Sequence, residues 1–303
     1  MHQQVQGVSV IVPTLNRGAY LLDTIKDLLL QQHRPLEILV VDQSPNEDAS
    51  LLELARVHSS LISYFRVPFR GLPLARNYGW QRARYEALVF VDDDIRCRPS
   101  LVTEHLRALS RPNAGMVAGG VDEGNMFPSD GTAPGRFNSW TATPIRNFES
   151  REESVAEHVA GSNFSIWRQV LRTVGGFDEA LAVGAALYEE TELCLRVRKY
   201  GFNIYFNGAA RVQHLTAGDG GCRVNSLPSY MESLAHNRAI VIGRYLRWFQ
   251  IPVAYLRLFL LFASYALRYR TLRALVPGFA GLFDGARDAK HPPVCTYRDG
   301  ASA

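Results

Sequence analysis

The first hundred residues alternate between two hydrophobic periods, and that alternation leaves few folds open to the chain. "VSVIVP" (8–13) and "LEILVVD" (36–42) are short, continuously apolar and rich in β-branched residues, as strands buried on both faces are. Between them, "AYLLDTIKDLLLQQ" (19–32) places apolar residues at helical spacing, with Pro35 just past its end. "SLLELARVHSS" (50–60) reads as a helix, "ISYFRV" (62–67) as a strand, "LPLARNYGWQRARYEA" (72–87) as a helix and "LVFVD" (88–92) as a strand. Strand, helix, strand, helix predicts an α/β fold with a mostly parallel central sheet flanked by helices. Ligands of such sheets bind beyond the carboxyl ends of the strands. Asp42 and the triplet Asp92, Asp93, Asp94 stand at such ends, so one crevice can hold them all.

Three adjacent carboxylates after a buried strand call for a positive partner. Mg²⁺ or Mn²⁺ is one, since hard divalent ions take oxygen ligands and bridge them to phosphates; a solvated acidic turn is the plainer alternative. At 303 residues, 47% hydrophobic and 20% charged, the chain has the composition of a globular protein. Its four cysteines are scattered with no CxxC pair, which predicts neither a zinc site nor a disulfide framework and points to a reducing compartment. "MHQQVQGVSVIVPTLNR" runs straight into a strand, so no signal peptide is expected.

Further along, "SLVTEHLRALSR" (100–111) is helical, "GMVAGGV" (115–121) a strand, and residues 122–150 a long loop of the kind that carries function. "GSNFSIWRQVLRTVGGFDE" (161–179) reads as strand then helix, and "NIYFN" (203–207) and "ARVQH" (210–214) as two short strands. "YEETELCLRVRKYG" (188–201) is a helix with acids in its first turn and bases in its last, which complements the helix dipole.

Taken in order, "VSVIVPTLNR", "ILVVDQS", "LPLARNYGW", "VFVDDDI", "GSNFSIWR", "GGFDE", "YEETELCLRVRKYG" and "VQH" closely resemble the family-2 nucleotide-sugar glycosyltransferases. The likeness covers about residues 8–215. It implies the GT-A fold, with a catalytic domain over 1–228 and a helical extension over 229–303. It also implies inverting transfer from a nucleoside-diphosphate sugar, UDP by default, with Mg²⁺ or Mn²⁺. By that resemblance Asp92 and Asp94 are the outer positions of a DxD motif. Asp94 would ligate the metal, Asp92 and Asp93 would lie by the nucleotide, and His214 would complete the metal site. Asp42 would meet the base, Pro13, Thr14 and Arg17 would wrap the nucleotide, and Arg76 and Asn77 would lie near its phosphates.

The family places its catalytic base in an "ED" pair opening a helix; here Glu189 and Glu190 occupy it, with glutamate where the family has aspartate. By that resemblance Glu190, in the aspartate's place, would be the base, with Glu189 as the alternative, and both could simply complement the helix dipole. Gly161 and Asn163 match a strand near the sugars, Trp140 is a stacking candidate in the long loop, and "TAGDGG" (216–221) reads as a lid. Read alone, His214 would be a structural histidine; the resemblance makes it a metal ligand.

The tail is unlike the rest. From Ser233 to Phe283 there is no acid, while seven arginines are present in a chain of net charge +4, leaving the remainder net negative. "IPVAYLRLFLLFASYALRYRTLRALVPGFAGLF" (251–283) is apolar with arginines spaced through it, and its uninterrupted run, Leu258–Leu267, is too short to span a bilayer. An interfacial segment on a membrane is expected, or a helix packed on the domain or a second subunit. The implied acceptor is a glycan or a lipid-linked sugar in cell-surface polysaccharide synthesis. The implied location is the cytoplasm, peripheral to the membrane, with no nucleic-acid partner. Two other functions compete. A sugar-nucleotide nucleotidyltransferase would carry a glycine-rich basic loop where this chain has "VPTLNRGAY". A non-catalytic membrane-associated binding protein has no need of so full an acid set.

Overall fold

All seven residues of β1 (Val8–Thr14) and of β2 (Leu36–Asp42) are buried, which accounts for their unbroken apolar sequence. The computed structural model describes residues 7–124, 132–218, 220–221, 224, 226–273 and 275–296. Helices α1 (Gly18–Leu29), α2 (Ala49–Val57) and α3 (Leu72–Arg82) alternate with β1, β2, β3 (Ile62–Arg66) and β4 (Ala87–Val91), and these four strands pair in parallel. This half follows the expected alternation element by element.

The second half is mixed. After β5 (Ile95–Cys97), α4 (Leu101–Leu109) and β6 (Ala114–Asp122) come β7 (Arg136–Asn138) and β8 (Thr143–Ile145), a hairpin inside the segment expected to be loop. Then follow β9 (Glu153–Ala156), β10 (Asn163–Trp167), α5 (Arg168–Val174), α6 (Glu189–Lys199) and β11 (Asn203–His214). The sheet runs β3-β2-β1-β4-β10-β6-β11-β5, with β9 also on β11. β10 is antiparallel to both β4 and β6, so parallel pairing is confined to the first half and to β6–β11. The two short strands expected at 203–214 are one strand, with an irregularity between Asn207 and Arg211. There the Asn207 side chain accepts the Ala209 N–H and takes one backbone group out of the ladder.

The core lies on both faces of the sheet. Phe90 of β4 stacks on Phe164 of β10 with centroids 4.9 Å apart, and Phe177 meets Phe90 edge-on at 5.3 Å. The chain ends in α7 (Leu227–Tyr245), α8 (Ile251–Arg268) and α9 (Leu275–Asp288), so the apolar tail forms two helices rather than one run. α9 sits against α7 through glycine: a Cβ on Gly281 would stand 2.4 Å from the Glu232 carbonyl oxygen, and one on Gly285 2.2 Å from that of His236. Only glycine permits two helix backbones to approach so closely here.

Candidate active site

A cavity of about 640 Å³ opens at the carboxyl ends of the strands, where an α/β sheet is built to bind. Pro13 and Thr14 reach it from β1, Asp92 and Asp93 from beyond β4, Glu123 from beyond β6 and His214 from the end of β11. Another part of its wall is the loop that leads into α6, Ala185 to Tyr188, with the helix's first residues, Glu189 and Glu190.

The three aspartates have three different environments. Asp93 is buried; it accepts the Thr14 hydroxyl at 2.6 Å and Arg17 Nη1 at 3.0 Å. Burial still pushes its pKa up to about 7 against the pull of Arg17. Asp94 is fully buried, and its Oδ2 accepts the Ala217 N–H at 2.8 Å and Arg17 Nη1 at 2.9 Å. Its Oδ1 is sealed from solvent and faces His214 Nε2 at 3.2 Å. Asp92 turns toward the cavity, with Oδ2 3.8 Å from His214 Nε2, and burial raises its pKa.

Asp92, Asp94 and His214 each offer one ligand atom, all within 4.8 Å of one another. Two carboxylates and an imidazole form a donor set that Mn²⁺ or Mg²⁺ accepts, and Asp94 Oδ1 is a buried acceptor aimed at its centre. Glu123 orients the imidazole by meeting its Nδ1 at 3.1 Å, the outer-shell support a ligating histidine needs. Burial works against charge on His214, but Asp94, Glu123 and Asp92 outweigh it and raise its pKa to about 10. In this state the imidazolium and Arg17 partly offset the charge of the acids.

The two glutamates at the start of α6 differ as sharply. Glu189 is buried and ion-paired to Arg76, itself buried, which also donates to the Gly161 carbonyl at 2.8 Å and lies 3.7 Å from Asp92. The Arg76 guanidinium stands over Phe164 and Phe177 at 5.3 and 5.6 Å, so the aromatic core fixes its position. Glu190 lines the cavity and makes no ion pair within 4 Å among the described residues. Burial raises its pKa, partly offset by Arg76 and Arg146.

Backbone strain surrounds this cavity. Asn16, Ala186, Tyr188 and Thr216 all have positive φ, from 49° to 69°, a region that side chains other than glycine enter at a cost. α7 holds the α6 loop in place: buried Asn237 donates to the carbonyls of Leu181 and Leu187 at 3.0 and 2.7 Å, and the Ser233 hydroxyl to that of Val183 at 2.8 Å.

Comparison with known proteins identifies the family of the chain. Residues 9–175 match the model of the family described as glycosyl transferase family 2. The chain belongs to glycosyl transferase family 2. An uncharacterised glycosyltransferase of Rickettsia conorii is 34% identical to this family-2 chain over 87 residues, 29% of the chain and only 14% of that protein's length. The glucosyl-dolichyl phosphate glucuronosyltransferase of Haloferax volcanii is 25% identical over 215 residues, 68% of each chain. Among solved structures, that of GalNAc-T7 with UDP, GalNAc and Mn²⁺ superposes with a TM-score of 0.63 at 19% identity, over 80% of this chain and 51% of its own. That likeness is one of fold, the GT-A fold.

Of the residues singled out in this family-2 sequence, Pro13, Thr14, Arg17, Arg76, Asp92, Asp93, Gly161, Glu189, Glu190 and His214 line one cavity, with Asp94 directly beneath. Four lie elsewhere. Asp42 is in an adjoining hollow, where its oxygens accept the Ser44 N–H at 2.8 Å and the Tyr64 hydroxyl at 2.7 Å. Asn77 is internal and donates to Phe177 O and Glu179 Oε1 at 2.8 and 2.9 Å. Asn163 ties β10 to its neighbours: its amide donates to the Gly120 and Ala210 carbonyls, so its oxygen must accept from His105 Nε2 at 2.8 Å. Trp140 packs on Phe249 with ring centroids 5.6 Å apart, outside the cavity lining.

Glu123 and Arg146, joined at 2.6 Å, are cavity residues that sequence reading passed over. Glu123 had a signal: "VDE" follows a buried strand just as "VVD" and "VFVD" do. Arg146 had none. Of the expected lid, Asp219 lies outside the described residues, and Gly221 donates its N–H to Leu15 O at 2.8 Å, on the turn after β1.

Proposed function

We propose that this chain transfers a sugar from a nucleoside-diphosphate sugar to a glycan or lipid-linked acceptor, with inversion at the anomeric carbon. The single observation behind this reading is that the Asp92–Asp94–His214 cluster reaches, through Asp92 and His214, the same cavity as the carboxylate of Glu190, which has no ion pair among the described residues. In the reaction the acceptor hydroxyl oxygen bonds to the anomeric carbon as the bond from that carbon to the β-phosphate oxygen breaks. The nucleoside diphosphate leaves with the bonding electrons, and the hydroxyl proton passes to Glu190. A base must be ionised yet avid for protons, and the raised pKa of Glu190 suits that task better than the ion pair in which Glu189 is held. Glu189 instead holds Arg76 beside Asp92 and the Gly161 carbonyl, where a donor phosphate would meet its charge.

Asp92, Asp94 and His214, the outer DxD positions and the strand-end histidine, would hold Mg²⁺ or Mn²⁺, which when bound would stabilise charge on the departing diphosphate. Arg17 and Thr14, tied to Asp93, would face the nucleotide. Residues 1–228 form the catalytic domain in this reading and 229–303 its helical extension. The glucuronosyltransferase relative, named for a lipid-phosphate sugar, supports a lipid-linked acceptor; cell-surface polysaccharide synthesis on the cytoplasmic side is the setting proposed with it. UDP remains the default nucleotide.

The test is incubation of the protein with UDP-, GDP- and dTDP-sugars with and without Mn²⁺. Release of nucleoside diphosphate that needs the metal supports transfer, and proton NMR of the product's anomeric centre reads inversion. Pyrophosphate release would replace transfer with nucleotidyl chemistry. A melting temperature unmoved by every nucleotide–metal pair would count against a donor site altogether.

A further inference from the structure

Helix α8 has two apolar faces. Ala254, Leu258, Phe262 and Ala266, spaced by four, are buried, and the first three pack against α7 and α9. On the opposite side Val253, Leu256, Leu260 and Leu267 are 40%, 58%, 50% and 79% exposed. That outer stripe is flanked along one edge by the exposed Arg257 and Arg268, which follow Val253 and Ser264 by four residues. The apolar surface extends past one end of the helix and along its side. At one end Trp248, 82% exposed, meets Phe249, which meets Trp140. Along the side Phe259 meets Phe279 of α9 at 6.3 Å.

The charge on this surface has one sign. Two of the seven tail arginines are used internally, Arg238 on the Thr141 carbonyl and Arg244 on Asp178 at 2.5 Å. Arg247, Arg257, Arg268, Arg270 and Arg273 remain exposed, and none of the five pairs with an acid among the described residues. An unpaired basic rim around an apolar face complements an anionic lipid surface. It does not complement a second copy of itself, since no acid lies between Ser233 and Phe283 to meet the partner's arginines.

We propose that the outer face of α8, with the Trp140–Phe249–Trp248 cluster, docks on the surface of an anionic phospholipid bilayer. The helix lies in the plane of the interface and does not cross it. α8 has the length and apolarity of a membrane span, 18 residues at mean hydropathy 1.4. Crossing would strip its inner face from Met231 and Ala235 of α7, whereas lying flat keeps that contact and buries the outer stripe. The aromatic cluster then sits at headgroup level, where tryptophan is favoured. Trp140 belongs to the β7–β8 hairpin, which runs into Arg146 at the cavity wall, so docking brings the cavity mouth beside the lipid. That last consequence rests on the proposed function; docking itself does not.

The experiment is co-sedimentation of the full chain, without nucleotide, with vesicles of phosphatidylcholine alone or mixed with phosphatidylglycerol. Binding to the anionic vesicles should be tighter by on the order of tenfold or more, fall as salt is raised, and shift tryptophan emission to the blue. Leu256→Ser with Leu260→Ser, and separately Arg257→Glu with Arg268→Glu, should each release the protein from vesicles with the melting temperature unchanged. Equal binding to both vesicle types, or variants that bind as the parent does, would overturn the proposal. So would binding that survives high salt and alkaline extraction, the behaviour of a spanning helix, or a dimer that Leu256→Ser dissociates. Because no donor or metal is present, failure here leaves the transferase reading intact, and failure of transfer leaves this one intact.

Discussion

The carboxyl ends of the strands and the outer face of the C-terminal helices each gather charge of one sign, yet they treat it oppositely. At the strand ends Asp93, Asp94 and Glu189 are buried, and each meets an opposite charge: Arg17 for the aspartates, Arg76 for Glu189. On the C-terminal helices five arginines stand in solvent with no acid paired to them among the described residues, among exposed leucines. Enclosed, balanced charge costs desolvation and is retained where a small, highly charged ligand must be gripped from several sides. Open charge around apolar side chains suits an extended partner that needs area more than geometry.

Substitutions should separate the two regions, and the largest effects belong to the strand ends. Glu190→Gln should cut kcat by about 10²–10⁴-fold, the usual worth of a positioned base, with the melting temperature held or raised. Asp94→Ala should abolish metal-dependent transfer. Either variant at full activity removes that residue from the mechanism. In the parent, kcat/KM should rise with pH through a midpoint above the ordinary glutamate range, because burial disfavours the charged form that must act. Ionising Glu190 in the fold likewise costs stability as pH rises past that range. A rate profile already flat in weak acid would place the base elsewhere.

Next comes Arg76→Ala, which strands buried Glu189 without its partner and should cost about 3–5 kcal/mol in chemical denaturation. A loss under about 1 kcal/mol, the scale of an exposed pair, would mean that water enters beside Glu189. Asn237→Ala removes two donors from the carbonyls that hold the α6 loop and should cost about 1–3 kcal/mol. It should also lower kcat more than it raises KM, and if α7 is only scaffolding for its own helices, kcat will not move. The smallest effect is expected of Leu260→Ser: within about 0.5 kcal/mol of the parent's stability, and no change in transfer to a soluble acceptor. A clear drop in either would tie the outer face to the catalytic domain.

Much of the first region was legible in sequence because burial on both faces imposes a local pattern. β2 lies at Leu36–Asp42, where its apolar run begins and ends, and α6 opens with the acids its dipole favours. β7 and β8 escaped notice because three exposed or half-buried residues each carry no period to read. The seven arginines of the tail could be counted, but the two turned inward could not be told from the five turned outward. Helical spacing reports a face without reporting what covers it. For the same reason the two apolar faces of α8 looked like one long hydrophobic run.

Sequence alone determined the order of elements in the first half, the acids at the strand ends and the family to which their spacing belongs, since each depends on neighbours a few residues apart. Tertiary structure alone decided which glutamate is tied: Arg76, over a hundred positions away, reaches Glu189 and leaves Glu190 without an ion pair among the described residues. It also drew Glu123 to His214 across 91 positions and turned Asn163 away toward His105. Such partners are chosen by where the sheet order sets the strands. That order rests on long-range burial, which no local pattern encodes.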